Sequence, residues 1–370
     1  PVEQEAVDEP QYLSEEDGHY HCFECYQYDC CKECKQKNLH KCELLCYQTF
    51  HWSTIGKRLN TSSTLAEFYH SAALYYSSRP FLGTCNTPMA PMSSEVSYQW
   101  LTYKDIHLLS IHFYLGMHNL LSPVNKGSKR AWLASFISDP QVSSLDGIFL
   151  GICSRNCVEW VVSDIGSVLC GMVTAPIHVT FSLAQKKSVL ANSKLKTLVL
   201  GSKNSSRSGC GCKECSPFVL GEGFDLLEEV LQTKETNGSD VLLDRIICID
   251  TFCAKAMERG KEIGVELTKF ADILGAGKEI SEQRGINEKT LCIHDNPRIM
   301  GLVKKLVPSK GQSKNPIFTI MYTSGSTGEP KGVVISKDFW LNFVNGGHHH
   351  HDPLVTFSFC PLAHGMDRRN

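Results

Sequence analysis

The sequence predicts an α/β fold, a parallel sheet with helices packed against it, and three features carry that expectation. First, beyond Asp146 short apolar runs of strand length recur at 147–153, 173–177, 195–200, 245–249 and 317–322. Runs that are apolar at successive positions suit strands buried on both faces, as in parallel sheets. Second, segments of helical character lie between them. Val158, Val161, Ile165, Val168 and Met172 repeat at spacings of three and four behind a candidate cap, Asn156, and further helices are expected at 183–192 and 224–233. Third, a segment rich in glycine and hydroxyls follows the last run directly, and sheets of this class bind ligands just beyond the carboxyl ends of their strands.

The chain ahead of this alternation is organised differently. Residues 1–18 form an acidic leader, 19–51 a Cys/His-rich module and 52–63 a polar linker, and the α/β part occupies 64–370. It opens with Leu65, Phe68, Ala72 and Tyr75 at helical spacing, and strand composition follows at 98–103. The chain has 370 residues, is 42% hydrophobic and carries a formal net charge of −2, so charge gives no reason to expect nucleic acid as a partner. No stretch approaches the roughly 20 apolar residues of a membrane helix. The expectation is a soluble intracellular protein, cytoplasmic or peripheral to an internal membrane. The chain starts at Pro1 and stops at Asn370 in mid-pattern, which reads as truncation.

Thr323, Ser324, Ser326 and Thr327 supply hydroxyls, Gly325, Gly328 and Gly332 allow close backbone approach, and Lys331 supplies a mobile positive charge. Together they suit a phosphate cradle. No Ser or Thr follows Lys331, so this is not the loop of the P-loop nucleotidases. Tyr322-Thr-Ser-Gly-Ser-Thr-Gly-Glu-Pro-Lys-Gly332 instead resembles the signature loop of the adenylate-forming enzymes, which use ATP to activate a carboxylate. Arg79-Pro-Phe-Leu-Gly83, Tyr98-Gln-Trp-Leu-Thr-Tyr-Lys-Asp105, Gly151-Ile-Cys-Ser-Arg-Asn-Cys-Val-Glu-Trp160 and Pro361-Leu-Ala-His364 extend the likeness to long-chain acyl-CoA synthetases.

That resemblance implies the N-terminal part of an adenylate-forming large domain, with fatty acid, ATP and CoA as substrates and Mg2+ as cofactor. Thr323 to Lys331 would hold the ATP phosphates and stabilise charge on departing pyrophosphate, and His364 would help position the carboxylate. The family's magnesium glutamate, ribose aspartate and C-terminal lysine fall farther along than this chain reaches, so the fragment alone is expected to be inactive. A carboxylic acid reductase adenylation domain is the alternative, since only 28 residues separate Ser336 from His364.

Seven of the 18 cysteines lie between Cys22 and Cys46, a clustering that favours a reducing compartment and metal ligation over disulfides. The segment resembles the later part of a ZZ-type cross-brace zinc finger. Cys22, Cys25 and His40 with Cys42 or Cys46 would make one Zn2+ site, and Cys22, Cys25, Cys31 and Cys34 are the compact alternative. Such a module could bind a protein partner, which keeps open a second class of reading: a non-catalytic interaction protein with a degenerate ligase segment. Cys210, Cys212 and Cys215 sit in a Ser/Gly-rich insertion, and His348 to His351 in a polar loop; neither group receives a function.

Overall fold

The computed structural model describes residues 20–22, 46–48, 64–85, 98–121, 145, 147–201, 226–237, 240–249, 252, 254–286, 315–323, 329–345 and 361–364. The chain divides into two units, Pro1–Thr61 and Ser62–Asn370. In the first, β1 (Tyr20–Cys22) and β2 (Cys46–Gln48) pair antiparallel, with Cys22 opposite Cys46.

The second unit begins with α1 (Leu65–Tyr75), capped by Thr64, whose hydroxyl accepts the Glu67 amide at 3.1 Å. A two-stranded antiparallel ribbon follows, β3 (Pro80–Cys85) with β4 (Tyr98–Thr102). The strand expected at 98–103 thus stops at Thr102. Tyr103 opens α2 (Tyr103–Leu121), whose first turn is held by the Asp105 carboxylate accepting from the Thr102 amide at 2.8 Å and hydroxyl at 2.7 Å. Sequence periodicity did not reveal α2. It is buried over most of its circumference, so it carries no amphipathic stripe.

The main sheet is built from β5 (Phe149–Cys153), α3 (Val158–Cys170), β6 (Val173–Pro176), α4 (Leu183–Ser193), β7 (Thr197–Leu200), α5 (Leu226–Asn237), β8 (Arg245–Cys248), α6 (Ala254–Glu262), β9 (Glu266–Lys269), α7 (Phe270–Gln283), β10 (Ile317–Thr323), β11 (Lys331–Ser336) and α8 (Lys337–Asn345). Strand order is β11-β10-β6-β5-β7-β8-β9. All neighbours pair in parallel except β10 with β11. The expected parallel sheet is therefore present with an antiparallel edge strand added. Val333, Val334 and Ile335 gave β11 strand composition, but the glycine-rich segment before it reads as loop.

Two cores cover the sheet's faces. Leu150, Val199, Ile247 and Phe318 point toward α1, α2, α3 and α7, while Cys153, Leu198, Ile246 and Tyr322 point toward α4, α5 and α6. This alternation is the period-two pattern of strands buried on both sides. Gly277 of α7 allows its helix to touch α2 backbone to backbone, since an added Cβ would strike the His112 carbonyl. Burial also sets the charge state of a histidine pair between α1 and α2. His70 and His107 share a 3.0 Å contact between Nδ1 and Nε2; burial, only partly offset by Glu67, lowers His70 to about 4, and burial with the His70 charge holds His107 well below 6.5.

Candidate functional site

The phosphate-type segment closes a β-hairpin. Thr323, the last residue of β10, faces Lys331, the first of β11, and the Thr323 hydroxyl lies 3.5 Å from the Lys331 carbonyl oxygen. Both side chains are exposed at the carboxyl end of β10. Six ladder pairs make the hairpin stiff behind them. Ser324, Gly325, Ser326, Thr327 and Gly328 lie between these feet and outside the described residues. Gly332, expected to allow close anion approach, also has a packing role. It sits inside β11 opposite Tyr322, where a Cβ would come 2.9 Å from the Ile320 side chain and 3.2 Å from the Tyr322 ring. Packing demands that glycine.

His364 reaches the same end of the sheet by a different route. Leu362 packs on Ile152 and Trp160, and its amide donates to Asn156 Oδ1 at 2.9 Å. Asn156 had been expected to cap α3. The N-cap is Cys157, without a side-chain cap bond, and the Asn156 amide oxygen holds the 361–364 turn instead. That turn carries exposed His364 beside His178: burial lowers the His178 imidazole and the charge of His364 lowers it further. Register brings the two groups to one rim. Thr319 pairs with Thr174, and Thr323 and His178 each lie four residues farther on. His178 did not emerge from the sequence as a site residue, although its position at the carboxyl end of an apolar run was a usable signal.

Below the hairpin a cavity of about 560 Å³ is lined by Lys331, Glu329, Tyr322, Asn192 and Phe149 among others. The Tyr322 hydroxyl donates to Asn192 Oδ1 at 3.2 Å, tying β10 to α4, and burial raises its pKa. Cys157 could pass for a nucleophile at a helix N-terminus. Burial pushes its thiol up to about 11 despite the 3.5 Å contact with Ser154, so the reactive thiolate is scarce at neutral pH.

Hydroxyl, lysine and imidazole around one rim suit phosphate oxygens and a carboxylate. No group of three His, Cys, Asp or Glu positioned for a metal occurs among the described residues. Cys25, Cys31, Cys34, His40 and Cys42 lie outside them; of the candidate zinc ligands, the backbone of Cys22 is described, opposite Cys46. Among the described residues no helix is long and apolar enough to cross a membrane.

A doubly wound sheet with a glycine- and hydroxyl-rich hairpin at its carboxyl rim is the frame of the adenylate-forming enzymes, and the chain belongs to the AMP-binding enzyme family, whose profile matches residues 133–369. Proteins similar to it include long-chain-fatty-acid–CoA ligases. It is 23% identical over 278 residues to long-chain-fatty-acid–CoA ligase 5 of Mus musculus, covering 73% of this chain and 31% of that protein. To long-chain-fatty-acid–CoA ligase 1 of Homo sapiens it is 22% identical over 320 residues, covering 84% and 36%. The chain thus spans about a third of the length of these relatives. Among solved structures, the A-PCP didomain of carboxylic acid reductase from Segniliparus rugosus in complex with AMP superposes with a TM-score of 0.53 at 14% identity, over 86% of this chain and 38% of that one.

Proposed function

We propose that this chain supplies the ATP-phosphate-binding part of an acid–thiol ligase that activates a long-chain fatty acid and passes it to CoA. The observation that carries the reading is the hairpin with Thr323 and Lys331 at its feet, on the sheet rim shared with His364, in a chain of the AMP-binding family. Lys331 would neutralise charge on the phosphate oxygens and gain most as pyrophosphate departs, because the charge on those oxygens grows in the transition state. Thr323 would donate a weaker, neutral hydrogen bond beside it. His364, on the turn anchored by Asn156, would orient the carboxylate for attack on the α-phosphorus. Ser324 to Gly328 would complete the cradle, and magnesium accompanying ATP would supply further charge neutralisation.

The test is Lys331→Ala in the full-length gene product, followed by single-turnover acyl-adenylate formation and, separately, fatty-acid binding. Adenylation is expected to slow by roughly 10²- to 10³-fold while fatty-acid affinity stays within about twofold. Adenylation at the wild-type rate rejects the assignment. A second reading, with a carrier-protein thiol as acceptor as in a carboxylic acid reductase, is favoured by the 28-residue spacing from Ser336 to His364. Assay of the adenylated enzyme with CoA and with a phosphopantetheinylated carrier protein separates the two. The zinc module is a distinct proposal: residues 19–51 are expected to hold about one zinc per chain, and metal analysis showing none, or two, rejects it.

A further inference from the structure

We infer that Asp164, Thr174 and Thr319 form a buried positioning relay that fixes the phosphate-binding hairpin in register on the sheet; its functional consequence rests on the ATP-dependent reading above. β10 lies beside β6 in parallel, with Thr319 paired to Thr174. At that position the side chains add directional bonds to the strand pairing. The Thr319 hydroxyl donates to the Thr174 carbonyl at 2.9 Å, and the Thr174 hydroxyl lies 3.0 Å from Thr319 Oγ1 and 3.2 Å from Asp164 Oδ1. The one proton of Thr174 Oγ1 favours the carboxylate, the stronger acceptor, leaving Thr319 free to donate to the carbonyl.

Packing alone does not call for these residues. Thr174 and Thr319 are fully buried and Asp164 is 4% exposed, at positions where valine would fill the strands and an apolar residue the helix face. Buried hydroxyls and a buried carboxylate are costly unless bonded, but once bonded they accept one geometry and reject others. A sheet register slipped by one residue would break every bond of the relay and turn the β10 side chains to the opposite face. Since β10 and β11 move as one stiff hairpin, the relay sets where both Thr323 and Lys331 stand relative to His178 and His364. None of the three residues touches the rim, so their role is positioning rather than catalysis.

The test compares Thr174→Val with Thr174→Ser, which keeps the hydroxyl. In hydrogen exchange on this chain, Thr174→Val is expected to speed the amides of β10 and β11 by about tenfold while those of β7 and β8 hold their rates, with Thr174→Ser close to wild type. In the full-length enzyme Thr174→Val is expected to raise the KM for ATP about tenfold with the KM for fatty acid unchanged, and Thr174→Ser to restore it. Should Thr174→Val fail to fold, Asp164→Asn keeps volume and an acceptor oxygen and is expected to give a milder rise of about threefold in the same amides. A uniform rise across all strands, or unchanged exchange in β10, overturns the relay. An active wild type with a Thr174→Val KM for ATP at the wild-type value overturns its role in positioning. A wild type without ATP-dependent adenylation refutes the ligase reading instead, and exchange then decides the relay by itself.

Discussion

The two ends of the sheet are built to different standards. On the β9 side each strand is held by four ladder pairs, and α7 runs back from β9 to press against α2 with backbones in contact at Gly277 and Gly116. On the β11 side six pairs bind β10 to β11, Thr319 pairs with Thr174 of β6, Phe318 and Tyr322 enter the two cores, and side-chain bonds add to these: the Thr174–Thr319 contacts and Tyr322 to Asn192. Backbone ladders and apolar burial are insensitive to small displacements in sequence chemistry. Side-chain bonds are specific to one geometry. The contrast teaches that the β9 half of this sheet carries no proposed phosphate contact, whereas in the half that does, directional side-chain bonds are added to ladder and core packing.

The largest break in that contrast comes from Gly277→Val, which forces α7 away from α2. A loss of about 3 kcal/mol is expected, a large fraction of a domain's ordinary stability, and denaturant melts should show both ends of the sheet failing together at lower denaturant. If only the β10–β11 exchange responds, the helix contact does not support the β9 half.

Acid should act through the helix layer that covers one face of the sheet. Burial keeps His70 near 4 and holds His107 well below 6.5, while the unfolded chain titrates near 6.5, so the unfolded state binds more protons below 6.5. Stability from these neutral imidazoles is complete above about pH 6.5 and falls as pH drops toward 4, by about 3 kcal/mol for His70. Burial followed by the Lys278 charge lowers His112 to about 4 and adds in the same direction. Replacing His70 with Phe should flatten the decline, read as the change in melting temperature between pH 7 and pH 4.5.

Smaller effects sharpen the contrast by being local. Tyr322→Phe removes the hydroxyl that reaches Asn192 and is expected to cost about 1 kcal/mol, visible as faster exchange in β10 with β7 and β8 unchanged. At the other edge Arg245 meets Glu266 at 2.9 Å across β8 and β9, but Glu266 is 58% exposed. Glu266→Gln should therefore cost less than about 0.5 kcal/mol in a denaturant melt, because four ladder pairs already hold β9.

The sequence by itself determined the layered class. Strands β5, β6, β7, β8 and β10 were legible because each lies in a short, largely apolar run, and α1 because Leu65, Phe68, Ala72 and Tyr75 recur at helical spacing. Thr323, Lys331 and His364 stood out by residue type and spacing, which are local properties. Partner choice was decided only in three dimensions. Asn156 had the composition of a helix cap, yet its amide holds Leu362, 206 positions away. Gly332 stood out as part of an anion cradle, and only the pairing with β10 shows that an added Cβ there would crowd Ile320 and Tyr322. The Asp164–Thr174–Thr319 relay joins residues up to 145 apart, each unremarkable in its own segment. Local composition encodes whether a residue favours strand, helix or turn; which side chain meets which depends on the register of β10 against β6, and that is fixed by cooperative packing of both faces of the sheet.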